Sequence, residues 1–185
     1  MCDVRVRGKE EHVKRTLCLG AVLVALISAS AWATGLVPTG DVALTLSGSI
    51  FLTNTWDEAT QVGGFQFDLD MLKAFPVTSY TVTDPWLGEK TYGGVLLIDL
   101  LSWVGYDLNA ENIVVVASDG MEFTVKTADA KTYPIMIAYS ANNKVIKASS
   151  GGPLKLVYPY QIAGVEDLYS PDNWAWYVIG IRVGQ

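Results

Sequence analysis

Both cysteines and the only histidine of this 185-residue chain lie within its first 18 residues. Ser-His-Asp and Cys-His catalytic arrangements need a histidine, and a structural zinc site needs cysteine or histidine ligands. Residues 34–185 can form none of these sites, and they contain no thiolate that would bind a transition metal. Carboxylates, lysines and tyrosines remain as acid–base groups, which argues against most hydrolytic and redox chemistry.

Residues 1–33 have the three parts of a secretory signal. Five basic residues lie in the first 16 positions, an apolar run covers residues 17–27, and Ala31-Trp32-Ala33 is an A-x-A cleavage site. The run is far shorter than the roughly 20 residues of a membrane-spanning helix, which argues against an uncleaved anchor. We therefore predict cleavage after Ala33, a periplasmic or secreted protein, and no membrane insertion after cleavage.

The composition indicates a globular, acidic domain. Half of the residues are hydrophobic and 17% are charged, which excludes a disordered chain. The chain has 13 basic and 19 acidic residues. Removal of residues 1–33 takes away five basic and three acidic residues, which leaves 8 basic and 16 acidic residues. This balance argues against nucleic acid as a partner, because such a partner requires a basic face. Without cysteines, about 150 residues must be stabilised by their core alone.

The hydrophobic pattern of residues 34–185 predicts one α+β domain, with mostly antiparallel strands and two or three short helices. Alternating, β-branched and aromatic residues mark the strands. Asp119-Gly120 is a typical hairpin turn, and Asn142-Asn143 is a second predicted turn. The predicted strands are residues 42–50, 77–83, 112–118, 121–126, 135–141, 154–158 and 174–183.

Local signals set the bounds of the predicted helices. Asp68 is the expected N-cap of the first helix, and Pro76 stops it. Gly105 ends the second helix, and Thr127 can cap a single helical turn. Polar, Gly-rich and Pro-rich stretches are predicted as loops. The predicted helices are residues 68–75, 96–104 and 128–131, and the predicted loops are residues 54–61 and 84–94.

Several short motifs occur in a characteristic order. Residues 92–101 read Y-G-G-V-x-L-x-D-L-L, residues 118–120 read S-D-G, residues 151–159 read G-G-P-L-K-L-V-Y-P, and residues 173–176 read N-W-A-W. In this order the chain resembles the molybdopterin-binding domain of the sulfite oxidase family. The likeness covers roughly residues 43–183 and is closest in size to small secreted members that carry this domain alone.

The chain differs from catalytic members of that family in the residues that bind the metal. Those members hold molybdenum with a cysteine in the segment before a Trp-x-Gly loop, whereas residues 79–86 here read S-Y-T-V-T-D-P-W. The basic and histidine residues that surround the metal in such enzymes are missing too. The resemblance therefore implies the fold and a pterin cleft. It implies neither oxidase activity nor a molybdenum ligand, and we expect no molybdenum.

Five residues are candidates for binding the pterin. Trp86 lies in a loop and offers a ring for stacking, or it folds onto the sheet. Asp84 and Asp119 have carboxylates for the pterin edge, although turn formation also explains both. The resemblance places Asp119 and Tyr158 at the cleft, but Tyr158 also fits a core position. Lys155 is a candidate contact to a polar ligand group, with a solvated surface lysine as the ordinary alternative.

Two more tryptophans, Trp174 and Trp176, have a spacing that puts them on one face of the last predicted strand. Core packing is the favoured interpretation of this pair, and a partly exposed pair would instead form an aromatic patch for a protein partner. Tyr139 is expected in the core.

Three functions remain open. The first is a secreted, non-catalytic pterin-binding protein that signals to a membrane-bound partner through the partner's periplasmic domain, by analogy with pterin-binding members of the family. The second is a molybdopterin-dependent oxidoreductase subunit that uses oxygen ligands only. The third is an interaction domain whose cleft is filled by side chains.

Overall fold

The computed structural model describes residues 36–184, which lie in one compact unit of residues 34–185. The predicted signal peptide lies outside the described residues. The strands are β1 (Val42–Gly48), β2 (Thr55–Asp57), β3 (Val62–Asp68), β4 (Thr78–Asp84), β5 (Gly88–Leu96), β6 (Asn112–Ala117), β7 (Glu122–Lys126), β8 (Met136–Ala141), β9 (Lys144–Val145), β10 (Lys155–Val157) and β11 (Val178–Val183). The helices are α1 (Leu69–Lys73), α2 (Leu97–Val104), α3 (Thr127–Thr132) and α4 (Val165–Leu168).

The strands form two sheets. The first has six strands in the order β2-β3-β1-β11-β6-β7, in which β1 and β11 are parallel and the other neighbours are antiparallel. The second has the order β10-β8-β5-β4, with β9 paired to β8, and is antiparallel throughout. The parallel pair joins the first long strand to the last, so strands from the two ends of the domain are neighbours in the middle of this sheet.

One cluster of buried side chains contains residues from both sheets and from the helices. Leu44 and Phe65 come from the first sheet, Val95 and Ile137 from the second, and Leu100 from α2, and none of them is more than 1% exposed. Burial of this apolar surface is the main source of stability for a domain without disulfides. Within residues 36–184, no helix is long and apolar enough to cross a membrane.

The prediction of a mainly antiparallel α+β domain is confirmed. Asp68 caps α1 as expected, because its Oδ1 accepts a hydrogen bond from the Met71 amide at 2.8 Å. Gly105 ends α2 with a φ of 67°, a conformation that favours glycine. Asn142 and Asn143 both have positive φ angles and form a turn, which connects β8 to the short strand β9.

Two predicted loops contain strands. Residues 54–61 include β2, a short and largely exposed edge strand that pairs with the unpredicted β3. Residues 84–94 contain a tight turn and most of β5. The glycines that suggested a loop serve close packing of strands, since a Cβ at Gly94 would lie 2.2 Å from the Ile137 carbonyl oxygen of β8.

Two further predictions about elements were wrong. Thr127 is the first residue of α3, which is preceded by Lys126 at the N-cap position, so Thr127 does not cap it. The last strand begins at Val178 and not at residue 174, because Tyr177 has a φ of 54° and interrupts an extended chain. The short helix α4 raises the number of α-helices in the described part of the chain to four.

Candidate functional site

A tight turn after β4 exposes Trp86. Asp84 ends this strand, and its Oδ1 accepts hydrogen bonds from the Trp86 and Leu87 amides, both at 2.9 Å. Such a turn is typical of aspartate because its short carboxylate reaches the backbone two residues ahead. The side chain of Trp86 is 50% exposed, and that of Asp84 is buried.

The second oxygen of Asp84 belongs to a buried polar trio. Asp84 Oδ2 accepts hydrogen bonds from the Tyr92 hydroxyl at 2.6 Å and from Lys155 Nζ at 2.5 Å. The Lys155 Nζ and the Tyr92 hydroxyl are 3.4 Å apart. β4, β5 and β10 each contribute one member of the trio, which connects the Trp86 turn to the opposite edge strand of the sheet.

Burial and pairing shift the acid–base properties of the trio. Burial alone would raise the pKa of Asp84, but hydrogen bonds from Lys155, Tyr92 and the Trp86 amide outweigh it and hold that pKa below its ordinary value. Burial lowers the pKa of Lys155, against the opposing influence of Asp84. Burial and the adjacent Asp84 carboxylate raise the pKa of the Tyr92 hydroxyl, which stays protonated as a donor.

Four aromatic rings enclose the ammonium group of Lys155. Its Nζ lies 4.5 Å from the ring centroid of Trp176, 5.4 Å from Trp174, 5.6 Å from Tyr92 and 6.0 Å from Trp86. These distances are within the range of cation–π attraction. The charge of Lys155 is therefore balanced by a carboxylate and shielded by rings, and none of its side chain is exposed.

A groove of about 500 Å³ opens over three of these rings, those of Trp86, Trp174 and Trp176. Trp86 and Trp176 meet edge to face in its wall, with centroids 5.9 Å apart and planes at 89°. In the part of the chain that the structure describes, no lysine or arginine lines it. We call it the tryptophan groove, and the lining residues important for its chemistry are Trp86, Asp119, Asp172, Trp174, Trp176 and Tyr177.

The glycine-rich run positions one wall of the tryptophan groove. Gly151 has a φ of 87°, and a Cβ there would lie 2.7 Å from the Trp176 ring, so the ring packs directly on the glycine backbone. The neighbouring Tyr177 has positive φ although it is a bulky residue, which is a strained conformation. Backbone hydrogen bonds hold it from both sides, from the Tyr177 amide to the Gly151 carbonyl at 2.8 Å and from the Ser118 amide to the Tyr177 carbonyl at 3.0 Å.

The structure brings four of the five candidate residues together. Trp86 and Asp119 line the tryptophan groove, while Asp84 and Lys155 form the buried pair that supports Trp86. Lys155 is not a solvated lysine, because its side chain is fully buried. Tyr158 does not line the groove: it is buried in the core, where its ring stacks on Tyr169 with centroids 4.5 Å apart.

The sequence analysis predicted a different position for two other residues of the site and missed three more. Trp174 and Trp176 do not share a strand face, since they precede β11, and of the two only Trp174 is buried. Tyr92, Asp172 and Tyr177 were not considered. The motif that begins at Tyr92 was the one available signal for that residue, and no sequence pattern marks the backbone strain at Tyr177. Tyr139 lies in the core as expected.

Comparisons with known proteins agree with this fold. Residues 62–166 match the model of the family described as the oxidoreductase molybdopterin binding domain. The structure resembles the crystal structure of the sulfane dehydrogenase SoxCD from Paracoccus pantotrophus, with a TM-score of 0.61 and 17% sequence identity over 78% of this chain. The chain spans 38% of the dehydrogenase chain it matches, and no curated protein sequence matches it. With more than half of its length matched by the family model, the chain belongs to the oxidoreductase molybdopterin binding domain family.

Proposed function

We propose that this protein binds a pterin without catalysing oxidation or reduction. The observation that carries the proposal is the tryptophan groove, in which the rings of Trp86, Trp176 and Tyr177 accompany the carboxylates of Asp119 and Asp172. A pterin is a flat bicyclic ring with amino and imide hydrogens along one edge. Aromatic side chains provide faces for its ring, and carboxylates accept its edge hydrogens.

The molybdenum centre implied by the family does not fit the residues present here. Residues 34–185 contain no cysteine to provide a thiolate. Asp84 is 1% exposed and already accepts four hydrogen bonds, so its carboxylate has no oxygen free for a metal. Within residues 36–184, no three side chains of His, Cys, Asp or Glu are grouped closely enough to hold a metal ion. These observations support binding of the organic ring alone.

We also propose export and a signalling role. The signal-like segment of residues 1–33 supports a periplasmic or secreted location. The family resemblance supports a membrane-bound partner that contacts the protein through its own periplasmic domain. Trp86 and Tyr177 are 50% and 38% exposed at the tryptophan groove, so a bound pterin alters a surface that such a partner can contact.

An oxidoreductase subunit is the second candidate. It is favoured by the family itself and by the structural likeness to a protein named as a dehydrogenase. This function requires molybdenum bound through oxygen ligands. It predicts about one molybdenum atom per chain after expression in a host that makes the cofactor.

Tryptophan fluorescence tests the pterin proposal. A tetrahydropterin and the corresponding oxidised pterin are titrated into the purified full chain, with correction for absorption by the ligand. The proposal predicts saturable quenching by at least one redox form, because Trp86 and Trp176 line the groove. Absence of saturable quenching, together with absence of binding by calorimetry, would contradict it.

A further inference from the structure

The charges at the tryptophan groove are all negative. Asp119 lies in the turn between β6 and β7, where its Oδ1 accepts a hydrogen bond from the Met121 amide at 3.0 Å. Asp172 lies in the short helical turn Pro171–Asn173 and is exposed. Both side chains line the groove, and among the described residues no lysine or arginine lines it with them.

Lys155 does not offset these charges. Its Nζ is bonded to Asp84, its side chain has no exposed surface, and the Trp176 ring lies 4.5 Å away. A ligand in the groove therefore meets two carboxylates and no accessible ammonium or guanidinium group. Phosphate groups are recognised in proteins by such cationic groups or by backbone amides at helix ends, and their charge is repelled by carboxylates.

We propose that Asp119 and Asp172 make the tryptophan groove selective by charge: it accepts a neutral or cationic pterin and rejects a pterin that carries a phosphate. This inference rests on the proposed function and specifies its ligand class. It also separates this chain from the family to which it belongs, since molybdopterin itself carries a phosphate. The family fold is kept while its phosphorylated ligand is excluded.

The two carboxylates come from different segments of the chain. Asp119 is held by the turn between β6 and β7, and Asp172 is held by the short helical turn that directly precedes Trp174. Carboxylates are acceptors for the amino and imide donors of the ring edge. The same carboxylates that bind the ring edge therefore oppose an anionic tail.

The test compares two related probes on the purified full chain. One is 6-hydroxymethyl-7,8-dihydropterin, and the other is its diphosphate ester, which has the same ring and added negative charge. Calorimetry at low ionic strength should give a Kd for the diphosphate that is at least about tenfold higher than the Kd for the uncharged probe. Added salt should lower the ratio of the two Kd values because it screens the repulsion.

Neutralising both carboxylates tests their role. In D119N/D172N the Kd ratio of the two probes should fall to about one-third of its wild-type value or less. The turn should persist in this variant because Asn-Gly forms the same hairpin turn as Asp-Gly. The control is D41N/D70N, which removes two exposed carboxylates that do not line the groove, and it should keep the wild-type ratio.

The outcomes separate this inference from the proposed function. Equal Kd values for both probes in the wild type would overturn charge selection and leave pterin binding intact. A ratio that is unchanged in D119N/D172N would overturn the assignment to these two residues. Binding of neither probe, nor of any other pterin, would contradict the proposed function itself.

Discussion

Lys155 Nζ lies 2.5 Å from Asp84 Oδ2, and the side chains of both residues are fully buried. The two residues are 71 positions apart in the chain, so the pair connects distant segments. Desolvation of two charges is costly, and here it is compensated by the Tyr92 hydroxyl, two backbone amides and the surrounding rings. The pair therefore fixes the turn that presents Trp86 to the groove.

Breaking this pair from one side should strongly destabilise the protein. Lys155→Met leaves the Asp84 carboxylate buried without its cation, and we expect a loss of about 3–5 kcal/mol in the free energy of unfolding. Urea denaturation followed by circular dichroism measures this loss. The double variant D84N/K155M removes both charges and should recover a large part of it. If the double variant loses as much stability as the D84N and K155M single variants together, the two charges are not coupled.

The ring of Trp86 should contribute more to ligand binding than to folding. Because half of its surface is exposed, Trp86→Ala should lower the free energy of unfolding by less than about 2 kcal/mol. Loss of a stacking face should raise the Kd for a pterin at least about tenfold. The control is Trp56→Ala, which removes a 56% exposed ring from β2, at the other edge of the six-stranded sheet from β7. A Trp56 variant that binds as weakly would indicate a nonspecific effect.

The strained backbone at Tyr177 predicts an unusual order of stability. Tyr177→Gly relieves the positive φ, whereas Tyr177→Ala keeps the strain and removes the same ring. The glycine variant should therefore be more stable than the alanine variant by about 1 kcal/mol, after allowance for the flexibility of glycine in the unfolded chain. Both should bind a pterin more weakly than the wild type. Equal urea midpoints for the two variants would contradict the strain.

Asp68 should make stability depend on acid pH. Amides of Met71, Gly40 and Thr39 donate to its carboxylate and lower its pKa to about 2. Because this pKa is below that of the unfolded chain, the stabilisation is complete above pH of about 4 and is lost as the pH falls toward 2. Asp68→Asn keeps a capping side chain without the charge. Urea midpoints measured between pH 2 and 6 should therefore fall less steeply in this variant, and parallel profiles would contradict the role of Asp68.

Local signals in the sequence were sufficient for much of the fold. The capping carboxylate of Asp68, the helix-ending Gly105 and the Asp119-Gly120 turn each act through neighbours within a few residues, so their patterns are readable in one segment. Glycines within β5 misled the prediction because their role depends on β8, a strand far away in the chain. The fold class was therefore predictable, whereas the extent of individual strands was not.

The site was predictable only in part, for the same physical reason. Trp86 stood out because its turn is encoded locally. The environment of Lys155 depends on Asp84 and on rings from the Trp86 turn, from β5 and from residues 174–176, and a single lysine in a sequence gives no sign of such partners. Tyr177 was missed because its conformation is imposed by backbone hydrogen bonds to distant residues.

A thermal-shift titration with a molybdenum assay on the same sample tests the central claim most directly. The full chain is purified from a host that makes the molybdenum cofactor and titrated with reduced and oxidised pterins. A pterin at a free concentration of 100 times its Kd should stabilise the protein by about 2.7 kcal/mol, which raises the Tm by several degrees. The same sample should contain far less than one molybdenum atom per chain. An unchanged Tm with every pterin, or about one molybdenum atom per chain, would contradict the account.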